Sequence, residues 1–376
     1  MVKKLIIFFM ITICSFGISC CKFNISEVQN SFMPEKESDL YIPQKVIVPE
    51  MVKVTGGIIE GEDYPWAPPK GNFPKGRLVQ LSDFVIGKYE VTQEEYYSVM
   101  KDEVVSVTAY VDGVGEKTAE FFMDSRPSFC KPNNPPYHCF EGENQERRPV
   151  EGITFYDALW YCNVLSRKTD LEPVYKIKVT EVTSVNFSSH ITDAEVEMIP
   201  GANGYRLPTL CEAEYAMRGG DPNAPDWDYL FSGAVSEPGK ERYSINKGLD
   251  PVGWYQYNNK TGVSGTSDSD RENNTYYSYK GTHEVGLKKP NRLGLYDMSG
   301  NVSEYCYGKI DWTIQQNYTG ELEVDPVRID ESGNNRPSYG GSWRAGAGSA
   351  IMHSFPDNVD SSFSACTGFR VVRSAK

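Results

Sequence analysis

The 376-residue chain predicts an α+β domain with two main helices, short strands and much irregular structure. Three observations carry that expectation. Apolar side chains recur at helical spacing at Phe155, Ala158, Leu159, Cys162 and Leu165, and again along residues 210–218. Short runs rich in β-branched and aromatic residues are scattered between them, as at residues 52–59, 78–89 and 174–198. Residues 102–150 and 221–289 are long, rich in Gly, Pro or Asn, and nearly without periodicity. Loops of that length are functional or pinned.

The elements follow in order. Lys3 and Lys4 precede an apolar run, residues 5–18, too short to span a bilayer, so residues 1–19 read as an export signal. The run ends in Gly17-Ile18-Ser19-Cys20-Cys21, which resembles a bacterial lipoprotein cleavage site with Cys20 lipidated and Cys21 as the alternative. Residues 20–50 are polar with scattered prolines, a flexible tether. A single domain is expected over residues 51–376. Residues 52–59 read as a strand kinked at Gly56-Gly57, and 78–89 as two strand pieces. Thr92 with Glu95 forms a capping box that opens a helix at Gln93. Thr154 or Asp157 caps the helix over 154–168. Residues 174–198 suit a hairpin or meander, and 210–218 a second amphipathic helix stopped by Gly219-Gly220.

A net charge of −13 argues against nucleic-acid binding, which needs a basic footprint. His138, His190, His283 and His353 show no spacing that would build a zinc or iron site. The exported part holds Cys130, Cys139, Cys162, Cys211, Cys306 and Cys366, with no C-x-x-C. Cys130 and Cys139 flank a Pro- and Asn-rich loop where a disulfide is chemically open, while Cys162, Cys211 and Cys306 equally suit buried thiols. Asp297 and Glu304 bracket a glycine turn, and two carboxylates with nearby carbonyls suit a hard cation such as calcium as well as an ordinary Asx-turn.

The C-terminus is organised differently. Arg-Pro-Ser-Tyr-Gly-Gly-Ser-Trp at 336–343 and Gly-Phe-Arg-Val-Val-Arg at 368–373 enclose residues 344–367, which contain no Lys, Glu or Gln. Phe369, Val371 and Val372 suit a buried terminal strand. Two patterned ends around an unpatterned middle predict strands that hold out a surface segment, and such loops are where binding and catalysis concentrate.

Taken together, these motifs resemble the formylglycine-generating enzyme (sulfatase-modifying factor) family. The resemblance rests on Gly56-Gly57, Phe84 to Thr92, Arg148-Pro149-Val150, Tyr205-Arg206-Leu207-Pro208-Thr209, Leu293-Gly294-Leu295-Tyr296-Asp297-Met298 with Gly300-Asn301-Val302, Gly340-Gly341-Ser342-Trp343 and Gly368-Phe369-Arg370. It implies a C-type-lectin-like fold. It also places the family's calcium ligands on Asp297, Gly300, Val302 and Glu304, with Ser303 where the family has Trp. The family's two catalytic, copper-binding cysteines fall on Ala345 and Ala350. Alanine offers neither thiolate nor ligand, so no copper is expected.

The C-terminus further resembles the variable proteins of bacterial diversity-generating retroelements, some of them spirochaetal lipoproteins, in which a diversified segment lies between Gly-Gly-Ser-Trp and Gly-Phe-Arg. That resemblance implies a surface-displayed, ligand-binding lipoprotein. The expected contact residues are Arg344, Ala345, Ala347, Ser349, Ile351, His353, Phe355, Asp357, Asp360 and Phe363, with Trp343 and Phe369 as buried anchors. The expected partner is a protein or glycan surface, with the membrane reached through the lipid. The alternatives are an oxidoreductase of the formylglycine-generating type and a structural envelope protein.

Overall fold

In the computed structural model the described residues are 45–63, 71–111, 114–134, 137, 140–185, 188–240, 245–259, 281–310, 317–330, 335–352, 355–359 and 363–375; for 110–111, 185, 335 and 355–359 this covers the backbone alone. Cys20, the signal segment and most of the tether lie outside them. Residues 43–376 form one compact unit.

Strands β1 (Met51–Val54) and β2 (Gly57–Glu60) belong to different sheets. The chain changes sheet at Gly56, where a Cβ would lie 2.0 Å from the Leu81 carbonyl oxygen. The expected kinked strand is therefore two strands joined by a close backbone crossing. Strand β1 pairs antiparallel with β4 (Phe84–Gly87), and β2 with β3 (Leu78–Leu81).

All described α-helices begin on the same device. In α1 (Gln93–Met100), α2 (Phe155–Lys168) and α3 (Leu210–Met217) the cap is a threonine: Thr92, Thr154 and Thr209. Each accepts the backbone N–H of an acid three residues on, and Glu95, Asp157 or Glu212 accepts the threonine N–H in return. Helix α1 adds to the two main helices, and Asp157 is the reciprocal partner while Thr154 is the cap.

Residues 102–150 hold more order than expected. Strands β5 (Val104–Val111) and β6 (Gly115–Phe122) form a hairpin, in which the Thr108 and Thr118 hydroxyls meet across the strands at 2.8 Å. A second hairpin, β7 (Tyr175–Val185) with β8 (Ser188–Met198), matches the expectation over 174–198. The last sheet has the order β12 (Phe355–Val359), β11 (Asn335–Tyr339), β9 (Ser303–Tyr305), β13 (Thr367–Gly368). Strand β10 (Leu322–Val324) runs parallel to β3, and β14 (Val372–Ser374) closes on β4.

Among the described residues three apolar clusters form the core. The first joins α1, α2 and both hairpins to Phe369 and Val371. Tyr96 and Tyr161 stack at 5.4 Å, and the Phe369 ring meets both edge-on, so the C-terminal motif is keyed into the helical layer. The second packs α3 against β1–β4. The third is small: Leu230, Phe231, Leu249, Val252 and Tyr255 meet Ala347, Ala350 and Ile351. Cys162, Cys211 and Cys306 are buried free thiols.

Candidate functional site

The site is built from β11 outward. The strand ends in Gly340-Gly341, both at positive φ (+87° and +67°). A Cβ on Gly341 would come within 2.6 Å of the Ser349 carbonyl oxygen, so only glycine lets the segment fold back here. Trp343 is buried; its backbone N–H donates to Asn301 O at 2.7 Å and its indole Nε1 to Ala365 O at 2.8 Å. The second bond ties the start of the segment to its end. Tyr137 meets the Trp343 ring edge-on at 6.4 Å, and Phe129 packs on Tyr137.

The segment is pinned from below. Ala345 O accepts the Gln256 N–H at 3.0 Å, and Ala350 O accepts the Ser299 hydroxyl at 2.8 Å. Residues Ala347–Ser349 form one 3-10 turn. Arg344 is exposed, and Ala345 and Ser349 are half-buried. Two expected contact residues do not face solvent: Ala347 and Ile351 are buried in the third cluster, because backbone bonds from Gln256 to Ala345 and from Met352 to Leu230 lay this part of the segment over the cluster. Ala350 is buried and Ala345 half-buried, so of the family's two cysteine positions only one remains near solvent.

Residues 355–359 also differ from the expected unpatterned surface stretch. They form β12, antiparallel to β11, so Phe355 and Asp357 sit on an edge strand whose ladder supplies the order that side-chain pattern does not reveal. His353 and Asp360 lie outside the described residues. Phe363 is half-buried and stacks on His190 at 5.1 Å. Tyr137 and Gln256 flank the segment and carry no motif; an aromatic in a Pro- and Asn-rich loop was the one available signal for Tyr137.

The acidic cluster beneath the glycine turn is fully buried. Glu304 binds Arg370 through two 2.7 Å hydrogen bonds and also accepts the Tyr339 hydroxyl at 2.5 Å. Glu90 accepts Asn301 Nδ2 and the Val302 N–H. Burial, then the Asp297 and Glu304 charges, raise Glu90 well above the ordinary carboxylate value, and burial pushes Asp297 up to about 6. Asp297 Oδ2 accepts the Gly286 N–H, whereas its buried Oδ1 has no hydrogen-bond partner. An orphaned buried carboxylate oxygen fits a hard cation. Glu304, already engaged by Arg370 and Tyr339, fits that role less well than Asp297. Ser303, in place of the family's Trp, is buried and bonds the Ser338 hydroxyl at 3.0 Å.

Residues 37–375 match the sulfatase-modifying factor enzyme 1-like domain. The chain is 34% identical over 299 residues to a chaperone protein, LppX, of Paenibacillus barcinonensis, covering 79% of this chain and 82% of that one. It is 27% identical over 310 residues to a formylglycine-generating enzyme of Thermomonospora curvata, covering 80% and 84%. Among solved structures it is similar to Treponema denticola variable protein 1, with a TM-score of 0.55, 26% identity and coverage of 86% and 95%. A match over nearly the whole domain, on a scaffold that holds the glycine turn, the tryptophan anchor and the buried Gly-Phe-Arg motif, makes this chain a member of the sulfatase-modifying factor family.

Proposed function

We propose that this protein is an exported, lipid-anchored member of the family that binds a ligand rather than oxidising one. The observation that carries the reading is the pair Ala345 and Ala350: the Gly-Gly-Ser-Trp scaffold is intact around them, and neither side chain can bind copper or form a thiolate. The names of a chaperone relative and of a variable-protein neighbour support a non-catalytic role. The contact surface is Arg344, Ser349 and Phe363, with Ala345 at its edge and Tyr137 beside it. A shallow patch of one cation, small polar groups and aromatic edges suits a protein or glycan surface. Lipidation at Cys20 would hold the domain at a membrane through the 20–50 tether.

Immobilised glycans and proteins probed with the wild type and with an Arg344→Ala/Ser349→Ala/Phe363→Ala variant test this. Binding lost in the variant at unchanged melting temperature supports the patch. Copper-dependent oxygen consumption with a cysteine-containing sulfatase peptide would overturn the reading in favour of the oxidoreductase. Replacing Cys20 by Ala should release the protein from membranes.

For the acidic turn, we propose calcium held by Asp297 with the Gly300 and Val302 carbonyls, Glu304 contributing charge from its Arg370 pair. Calcium should raise the melting temperature relative to chelator-treated protein, and Asp297→Asn should abolish the difference. A melting temperature indifferent to calcium would remove the ion from this site.

A further inference from the structure

At the base of the candidate patch two thiols far apart in sequence lie close enough for the charge of one to act on the other. Cys130 is completely buried and Cys366 is half-buried; both are reduced thiols. Residues 151–152 bridge their surroundings. The Glu151 carboxylate accepts the Cys130 N–H at 2.8 Å and the Phe129 N–H at 3.0 Å. The next residue, Gly152, donates its N–H to Ser364 O at 3.0 Å, and Cys366 donates its own N–H to the Ser364 hydroxyl at 3.1 Å. One dipeptide thus touches Cys130 on one side and the turn carrying Cys366 on the other. Tyr137, packed on Phe129 and edge-on to Trp343, belongs to the same neighbourhood: the charges of both thiols and of Glu151 act on its phenol.

We propose that Cys130 and Cys366 are a disulfide-forming pair that staples the end of the 344–367 segment to the loop bearing Phe129 and Tyr137. This concerns the covalent state of the chain and stands apart from the identity of any ligand.

The surroundings assign an order to the chemistry. Cys366 is the accessible thiol. Burial pushes it up to about 11, while the Arg344 guanidinium and the Ser364 and Ser342 hydroxyls favour its thiolate. It attacks a disulfide-class oxidant of the kind that acts on exported proteins, forming a mixed disulfide and expelling one thiolate. The Cys130 thiol, which burial and the Glu151 charge hold well above its ordinary value, gives up its proton as it attacks Cys366 Sγ and expels the second thiolate. Glu151, pushed up to about 7 by burial, accepts the Cys130 proton near neutral pH. Two electrons pass to the oxidant and two protons leave the pair, one through Glu151. The new bond closes a loop between residues 130 and 366, across most of the domain.

The test uses the full chain, reduced and then incubated with oxidised glutathione at neutral pH. Remaining thiols are alkylated with a maleimide, and non-reduced peptides are mapped by mass spectrometry. A Cys130–Cys366 linked peptide is expected, with proteolysis in 344–367 slower than in the reduced chain. In Glu151→Gln, glutathione should accumulate on Cys366, because the second step loses its base. A Cys130–Cys139 peptide, or Cys130 and Cys366 both recovered alkylated after oxidation, would overturn the proposal. If Glu151→Gln does not fold, the wild-type map decides alone.

Discussion

Glu304 and Arg370 form a doubly hydrogen-bonded ion pair, 2.7 Å at each contact, with side-chain exposures of 1% and 0%. Arg370 also donates to the Gly87 and Tyr296 carbonyls, so the Gly-Phe-Arg motif is bonded at once to β9, β4 and the 293–298 loop. Removing one partner leaves an uncompensated buried charge. Arg370→Met should therefore cost about 3–5 kcal/mol in chemical denaturation. The double variant Glu304→Leu/Arg370→Met should recover part of that loss. A single variant as stable as wild type would mean that the pair carries no structural weight.

Gly341 is the second place where a small change should have a large effect. Gly341→Ala places a methyl group against the Ser349 carbonyl and puts a non-glycine residue at φ +67°. The expected loss is about 1–3 kcal/mol. Hydrogen exchange should speed up first at the Ser349 and Ala350 amides, which close the 3-10 turn. A uniform change across the domain would show that the turn does not open separately.

His190 gives a pH dependence with a definite sign. Burial opposes its charge, but the Asp157 hydrogen bond at 2.7 Å and the Asp157 and Asp124 charges outweigh that and raise its pKa above the ordinary imidazole value. A raised folded value means that the stabilisation is fully present below about pH 6.5, the unfolded value, and fades as pH rises through the folded one. Urea midpoints from pH 6 to 9 should fall in the wild type relative to His190→Gln. Parallel profiles would show that Asp157 does not hold an imidazolium.

Ala347 and Ser349 separate inward from outward positions within three residues. Ala347→Leu overfills the third apolar cluster and should cost about 1–3 kcal/mol. Ser349→Ala, half-buried and outside that cluster, should stay within about 0.5 kcal/mol. Thermal melts of the pair check the assignment, and equal costs would contradict the burial of Ala347.

The sequence alone determined the fold class, the helices α2 and α3, the capping box at Thr92, the hairpin over 174–198 and the two motifs that bound the segment. Those features are local: helical periodicity, a threonine three residues before an acid, and glycines that tight turns require can all be read from neighbours along the chain. It also showed where the family's cysteines are absent. Tertiary structure decided the rest. Whether Ala347 and Ile351 face the core depends on Tyr255 and Phe231, about a hundred residues earlier, and small side chains carry no mark of their direction. Residues 355–359 become a strand because β11 offers a free edge, not because their side chains alternate. Glu304 finds Arg370, and Glu151 joins the surroundings of Cys130 and Cys366, only once distant segments meet; burial then raises the cost of leaving any of these groups unpaired.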